Sequence, residues 1–173
     1  NYDRILVMLA TPEKDKLIFQ SGFGYNKEQH DILQNLTFNL KNPDSKGIFY
    51  LSFRDKKPII INDINEVKDD LSDRSFEFAQ QMNAKSLVCC PIVYEDEVTG
   101  ILAVANIKSK KPLLQRDINL FMGIAMQLGS RLQNIKIETY LRKVQKMEAV
   151  GNFAGGVAHD VNTILNTHLG SCQ

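Results

Sequence analysis

The hydrophobic pattern of this chain changes period once, near residue 113. Before that point apolar residues come in strand-length runs separated by turn chemistry; after it they recur every three or four positions. RILVML (4–9) is a near-continuous apolar run, TPEKDK (11–16) a turn, and LIFQSGF (17–23) the returning arm of a hairpin. Residues 24–47 are mostly polar and close on Asn, Pro, Asp, Ser and Gly, which predicts a variable connection with one helical turn at 28–35. Residues 47–57 carry apolar side chains at 48, 49, 51 and 53, a pattern that fits either a strand or a short helix. PIIIND (58–63) reads as a strand opened by a proline, which removes no ladder hydrogen bond at a first strand position. SDRSFEFAQQM (72–82) reads as a helix with Ser72 as N-cap and Asp73 in its first turn. Residues 86–107 form two apolar arms around the acidic tip Glu95-Asp96-Glu97, a hairpin. The expected fold class is therefore α/β in the broad sense, an α+β arrangement of an antiparallel sheet and helices.

From Leu113 onward no proline interrupts the chain. One apolar series runs 118, 121, 125, 128, 132, 135; a second runs 137, 140, 144, 147, 151, 154, 158, 161, 165. A spacing near 3.5 residues sustained this long predicts a long C-terminal coiled-coil helix and a homodimer formed through it. The two series are out of register by one residue between 135 and 137, where a folded domain could hand over to a separate helical element. The boundaries expected are 1–134 for the α+β domain, 135–150 for a coiled-coil helix and 151–173 for a further, incomplete helical element.

Composition narrows the classes. The chain has 173 residues, 43% of them hydrophobic, which suffices for one packed domain plus an appendage. Its net charge of +1 gives no strong pull toward nucleic acid, and no apolar run is long enough to cross a bilayer. The three cysteines, Cys89, Cys90 and Cys172, are an odd number, and the first two are adjacent; a reducing cytoplasm is the expected compartment.

Residues 4–134 resemble a GAF domain, a small-molecule-binding sensor module. The resemblance rests on GIFYLSFRDKKPIIINDI (47–64), similar to that family's helix, turn and strand ending in aspartate; on AKSLVCCPIVYEDEVTGILAVAN (84–106), similar to its signature hairpin; and on LLQRDINLFMGIAMQLGSRLQN (113–134), similar to its closing helix. It implies that 48–54 is helix, that the closing helix continues as a signalling coiled coil, and that a small-molecule ligand is a partner. The helix usual before the first strand of that family is not represented, which implies a chain trimmed at that end.

KVQKMEAVGNFAGGVAHDVNTIL (143–165) resembles the first helix of the dimerisation and phosphotransfer domain of sensor histidine kinases. That family pattern is a histidine, an acid directly after it, and Thr or Asn four residues on; His159, Asp160 and Thr163 fill those places. Val161 stands where an aromatic is common. The resemblance implies that His159 is the phospho-acceptor, serving autophosphorylation and then a response-regulator aspartate. With seam positions at 154, 158, 161 and 165, His159 would lie beside the seam, reachable by both. Asp160 would hold the imidazole tautomer through Nδ1–H and leave Nε2 as nucleophile. Thr163 lies one turn on, on the same face, and would orient water against a phospho-aspartate. Gly155 and Gly156 clear side-chain bulk before the histidine at about 1 kcal/mol each in helix propensity. A second helix and an ATP-binding domain are not represented, so ATP and Mg²⁺ belong to a separate catalytic domain and the chain by itself should be inactive as a kinase. On this reading no cofactor or metal belongs to the chain itself. The alternative is a ligand-binding or dimerisation GAF module without phosphotransfer, in which His159 is an exposed helical histidine.

Two further groups are ambiguous. Phe49, Tyr50, Phe53, Phe76 and Phe78 would line a ligand pocket or simply fill the core. Cys89 and Cys90, neighbours in a strand, must face opposite sides of the sheet; buried packing thiols are the favoured reading over redox or thiol-ligand sensing. Neither adjoins a histidine as a bilin attachment would need, and His30, expected to be exposed, gives haem little support.

Overall fold

The computed structural model describes the backbone of residues 2–108 and 112–169; side chains at 152 and 154–169 lie outside the described set. The chain divides into two units, Asn1–Arg131 and Leu132–Gln173. The first unit holds β1 (Arg4–Ala10), β2 (Lys16–Phe23), α1 (Lys27–Asn35), β3 (Thr37–Asn39), α2 (Ile48–Asp55), β4 (Ile59–Ile61), a 3-10 turn (Lys68–Asp70), α3 (Asp73–Gln81), β5 (Ser86–Tyr94) and β6 (Glu97–Asn106). The final helix, α4, runs Gln115–Leu169. The strands form one six-stranded sheet in the order β3-β2-β1-β6-β5-β4, every neighbouring pair antiparallel.

Most elements arise where the pattern places them, and each has a local cause. Ser72 caps α3, its side chain accepting from the Ser75 N–H, and α2 resolves the strand-or-helix ambiguity of 47–57 in favour of helix. The polar connection is more ordered than its composition indicates. A capping box opens α1: the Asn26 side chain accepts from the Gln29 N–H at 2.8 Å while the Gln29 side chain accepts from the Asn26 N–H at 3.3 Å. That reciprocal pair converts one expected turn into a helix of 9 residues. Thr37–Asn39 then becomes an edge strand through pairing with Lys16–Ile18, a tertiary cause that no local pattern announces. His30 is half-buried rather than exposed, with Phe19 edge-on at 5.1 Å between ring centres.

The two faces of the sheet are covered differently. One face carries Leu6, Met8, Leu17, Leu87, Cys89 and Ile101 into a core shared with α1, α2 and α3. The opposite face, with Val88, Cys90, Ile92, Leu102 and Val104 buried, is covered by the start of α4, whose Phe121 and Ala125 are buried. Gly129 lets this helix approach the sheet closely, because a Cβ there would lie 2.4 Å from the Val93 carbonyl oxygen. Three contacts fix its start: Tyr2 stacks edge-on against Phe121 at 4.7 Å, the Tyr2 hydroxyl donates to Asp117 at 2.6 Å, and the Leu113 N–H donates to Asn62 at 2.7 Å.

The first heptad series is thus spent inside the domain as far as 128, since 121 and 125 are buried and 118 and 128 half-buried, while Ile135 is exposed. In the second unit Ile137, Tyr140, Val144 and Met147 are exposed.

Candidate functional site

Between the sheet and helices α2 and α3 lies a cavity of about 530 Å³. Its origin is visible in one strand. On β6 the residues facing this side beyond Ile101 are Ala103 and Ala105, while their neighbours Leu102 and Val104 fill the opposite face. Two methyl side chains at the middle of the sheet leave the space between α2 and α3 unfilled. Ile48, Phe49 and Tyr50 of α2, Phe78 and Ala79 of α3 and Met82 at its C-terminal cap close the roof, and Asn42, Asp44, Ser45 and Lys46 form a polar rim.

Phe38, Phe49 and Phe78 form a cluster of edge-on rings along one wall, with centroid separations of 4.9, 5.3 and 6.0 Å. Such contacts add roughly 0.5–1.5 kcal/mol per pair beyond area burial and hold the wall's shape. Of the aromatics considered for the pocket, Phe49, Tyr50 and Phe78 line the cavity. Phe53 and Phe76 do not; they pack against the core as half-buried residues. Cys89 belongs to the core and Cys90 to the α4 side, and neither lines the cavity. Burial pushes the Cys89 thiol far up and the Cys90 thiol to about 11. Both are fully buried, so neither presents a reactive thiolate near neutral pH.

The residue most unlike its surroundings is Arg4. It is only 5% exposed, on an otherwise apolar strand, and it lines the cavity. Its Nε–H donates to the Gly24 carbonyl at 3.1 Å and its Nη2 donates to Gln29 Oε1 at 2.7 Å. The guanidinium carbon sits 4.9 Å from the centre of the Tyr25 ring. Nη1 is buried with no hydrogen-bond partner among the described residues. Burial lowers the Arg4 pKa, with Tyr25 and Asp3 acting against the shift, and it raises that of Tyr25 to about 12, with Arg4 opposing. Gln29 ties this corner together, since its Nε2 also donates to the Gln81 carbonyl at the end of α3, 3.1 Å away. Gly24 is needed beside it: its φ is +83° and a Cβ there would collide with the Asp3 carbonyl.

Sequence reasoning missed Arg4, Tyr25, Gln29 and Phe38. The one signal for Arg4 was a charge set within an apolar run; its partners lie 20 and 25 residues away and could not be read from spacing.

His159, Asp160 and Thr163 fall in α4, where the backbone is helical and the side chains lie outside the described set. Among the described residues no group of three or more His, Cys, Asp or Glu is placed to hold a metal ion. No described helix is long and apolar enough to cross a membrane.

An antiparallel sheet with a ligand-sized cavity on one face and a closing helix on the other defines a class of small sensor modules. The family model for the GAF domain matches residues 1–132, and the chain belongs to that family. No curated protein matches it. Solved structures share the fold. A methyl-accepting chemotaxis protein fragment, residues 122 to 287 of its own chain, is 24% identical with a TM-score of 0.64, over 79% of this chain and 81% of that one. A domain assigned to a two-component sensor histidine kinase of Sinorhizobium meliloti 1021 is 18% identical with a TM-score of 0.63, over 82% and 86%. The GAF domain of an Acinetobacter phosphoenolpyruvate-protein phosphotransferase is 15% identical with a TM-score of 0.59, over 79% and 73%.

Proposed function

We propose that this chain is the sensory region of a two-component sensor histidine kinase, in which GAF-domain occupancy controls the presentation of His159. The supporting observation is continuity: α4 closes the GAF sheet with Phe121 and Ala125 and carries the His159-Asp160 pair and Thr163 on the same helix. A ligand in the cavity shifts how the sheet and helices pack, and α4 transmits that change along its axis. The exposed stripe of Ile137, Tyr140, Val144 and Met147 is the surface through which two copies pair. His159 takes phosphate from ATP and Mg²⁺ held in a separate catalytic domain, then passes it to the aspartate of a response regulator. Asp160 orients the imidazole and Thr163 assists dephosphorylation. On this reading the chain works in the cytoplasm.

The test is phosphotransfer in trans. The 173-residue chain is joined to a complete second helix and supplied with a histidine-kinase ATP-binding domain. Acid-labile label should appear on the wild type and be absent from His159→Gln. Label that survives the substitution contradicts the assignment. A second reading is favoured by the range of similar folds, which includes GAF domains of chemotaxis and phosphotransferase proteins: a ligand-binding GAF module whose helix only joins partners. It predicts dimerisation and ligand binding with no label on either form.

A further inference from the structure

The cavity is apolar in its walls and carries one buried cation that the protein leaves incompletely paired. A guanidinium is charged at every physiological pH and presents donors in a planar fork. Buried polar groups are almost always satisfied, and an unsatisfied charged donor is more costly than a neutral one. Arg4 nevertheless keeps Nη1 without an acceptor among the described residues, while Gly24, Gln29 and Tyr25 hold the rest of the side chain in place. Neither of its hydrogen-bond acceptors is a carboxylate; Gly24 offers a carbonyl and Gln29 a neutral amide.

Other features of the cavity favour the same sign of charge. The N-terminal turn of α2 lines it through Gly47, Ile48, Phe49 and Tyr50, and no side chain caps that end. The N-terminus of α3 reaches it through Ser72 and Ser75. Helix N-termini carry partial positive charge and orphan N–H donors. Lys46 and Arg74 stand at the rim, with Asp44 the acidic residue of the lining. The rest of the lining is mostly aromatic and aliphatic.

We propose that the cavity binds a small monocarboxylate with an apolar body, its carboxylate paired with Arg4 and its body against Phe38, Phe49 and Phe78. The inference rests on reading the chain as a ligand-sensing GAF domain and deepens that reading by naming the ligand's chemistry. A single carboxylate is favoured over a phosphate monoester because Arg4 has already committed Nε and one Nη2 donor. A dianion would set two charges against a single buried cation and loses more hydration on burial. Recognition of this kind also predicts selectivity: a neutral amide of the same shape leaves the Arg4 charge without a counter-ion and should bind far more weakly.

Binding to the intact 173-residue chain is measured by calorimetry with three probe pairs of increasing size: benzoate and benzamide, 4-phenylbutyrate and 4-phenylbutanamide, indole-3-acetate and indole-3-acetamide. Phenyl phosphate serves as the dianionic control. At least one carboxylate should bind about ten-fold or more tightly than its amide and than phenyl phosphate. Two variants test the anchor. Arg4→Met removes the cation, and Gln29→Glu leaves Arg4 in place but gives it an internal carboxylate; each should erase the preference for the acid, and the second keeps the test decisive if the first fails to fold. Equal binding of acids and amides, a preference that survives Gln29→Glu, or tighter binding of phenyl phosphate overturns the inference while leaving the cavity a ligand site. Binding by none of the probes overturns both the inference and the sensing role of the cavity.

Discussion

The two faces of the GAF sheet are made from the same strands and reach opposite ends. On the α4 face, Val88, Cys90, Ile92, Leu102 and Val104 are buried, and Gly129 brings the helix down onto the β5 backbone. On the other face, Ala103 and Ala105 stand where bulkier residues would meet α2 and α3, and the result is a cavity rather than a core. Alternation along one strand, large outward and small inward, sets both conditions at once. A sheet residue therefore belongs to the closing helix or to the ligand space according to its parity. Arg4, paired in register with Ala105, shares the cavity side.

Breaking the sealed face gives the largest expected effect. Gly129→Ala would set a Cβ 2.4 Å from a backbone oxygen that cannot rotate away. The gain of about 1 kcal/mol in helix propensity is set against overpacking at the upper end of the usual range, about 3 kcal/mol, because the contact is with backbone, so urea unfolding should show a net loss of about 2 kcal/mol. A neutral or stabilising result would mean that α4 does not seat against β5.

The cavity face is sharpened by pH. The Tyr25 phenol is held neutral by burial, its pKa raised to about 12. Below about pH 10 both folded and unfolded states are protonated and Tyr25 contributes no pH dependence. Between about pH 10 and 12 the unfolded chain loses the proton first, so stability falls as pH rises and is lost through the folded pKa. Tyr25→Phe should remove that component, making the variant about 1.4 kcal/mol more stable than wild type near pH 11 when matched near pH 8. Parallel pH profiles for the two proteins would show that the phenol is solvated.

The smallest effect of the set comes from the solvent side of the same helix. A Cβ added at Gly123 would meet nothing within 4 Å. Gly123→Ala should therefore stabilise by up to about 1 kcal/mol in the same urea assay. Opposite signs at 123 and 129, two glycines of one helix, would separate propensity from packing; destabilisation at 123 would point to an unrecognised contact on that side.

Much of this contrast is legible in the sequence. The apolar runs at 4–9, 17–23 and 86–107 become β1, β2 and the β5–β6 hairpin, and Ser72 caps α3. Two elements escape for physical reasons. Thr37–Asn39 is a strand because β2 lies beside it, and α1 gains its length from a capping box whose Gln29 side chain also accepts from Arg4. Heptad spacing alone is ambiguous at 118–128: a helix laid on a sheet and a helix in a coiled coil both need an apolar stripe, and period does not say which surface receives it. The cavity is only half legible. Aromatics at 49, 50 and 78 are candidates for it by composition, but its cation depends on contacts that the fold brings from distant segments.

That one face of the sheet holds real space while the other is filled is tested most directly by urea unfolding of Ala103→Leu beside Ala125→Leu. The first substitution enlarges a residue that borders the cavity, and the second a fully buried residue on the sheet-facing side of α4. A change within about 1 kcal/mol is predicted for Ala103→Leu and a loss of about 2–3 kcal/mol for Ala125→Leu; equal losses at the two positions would contradict the difference between the faces.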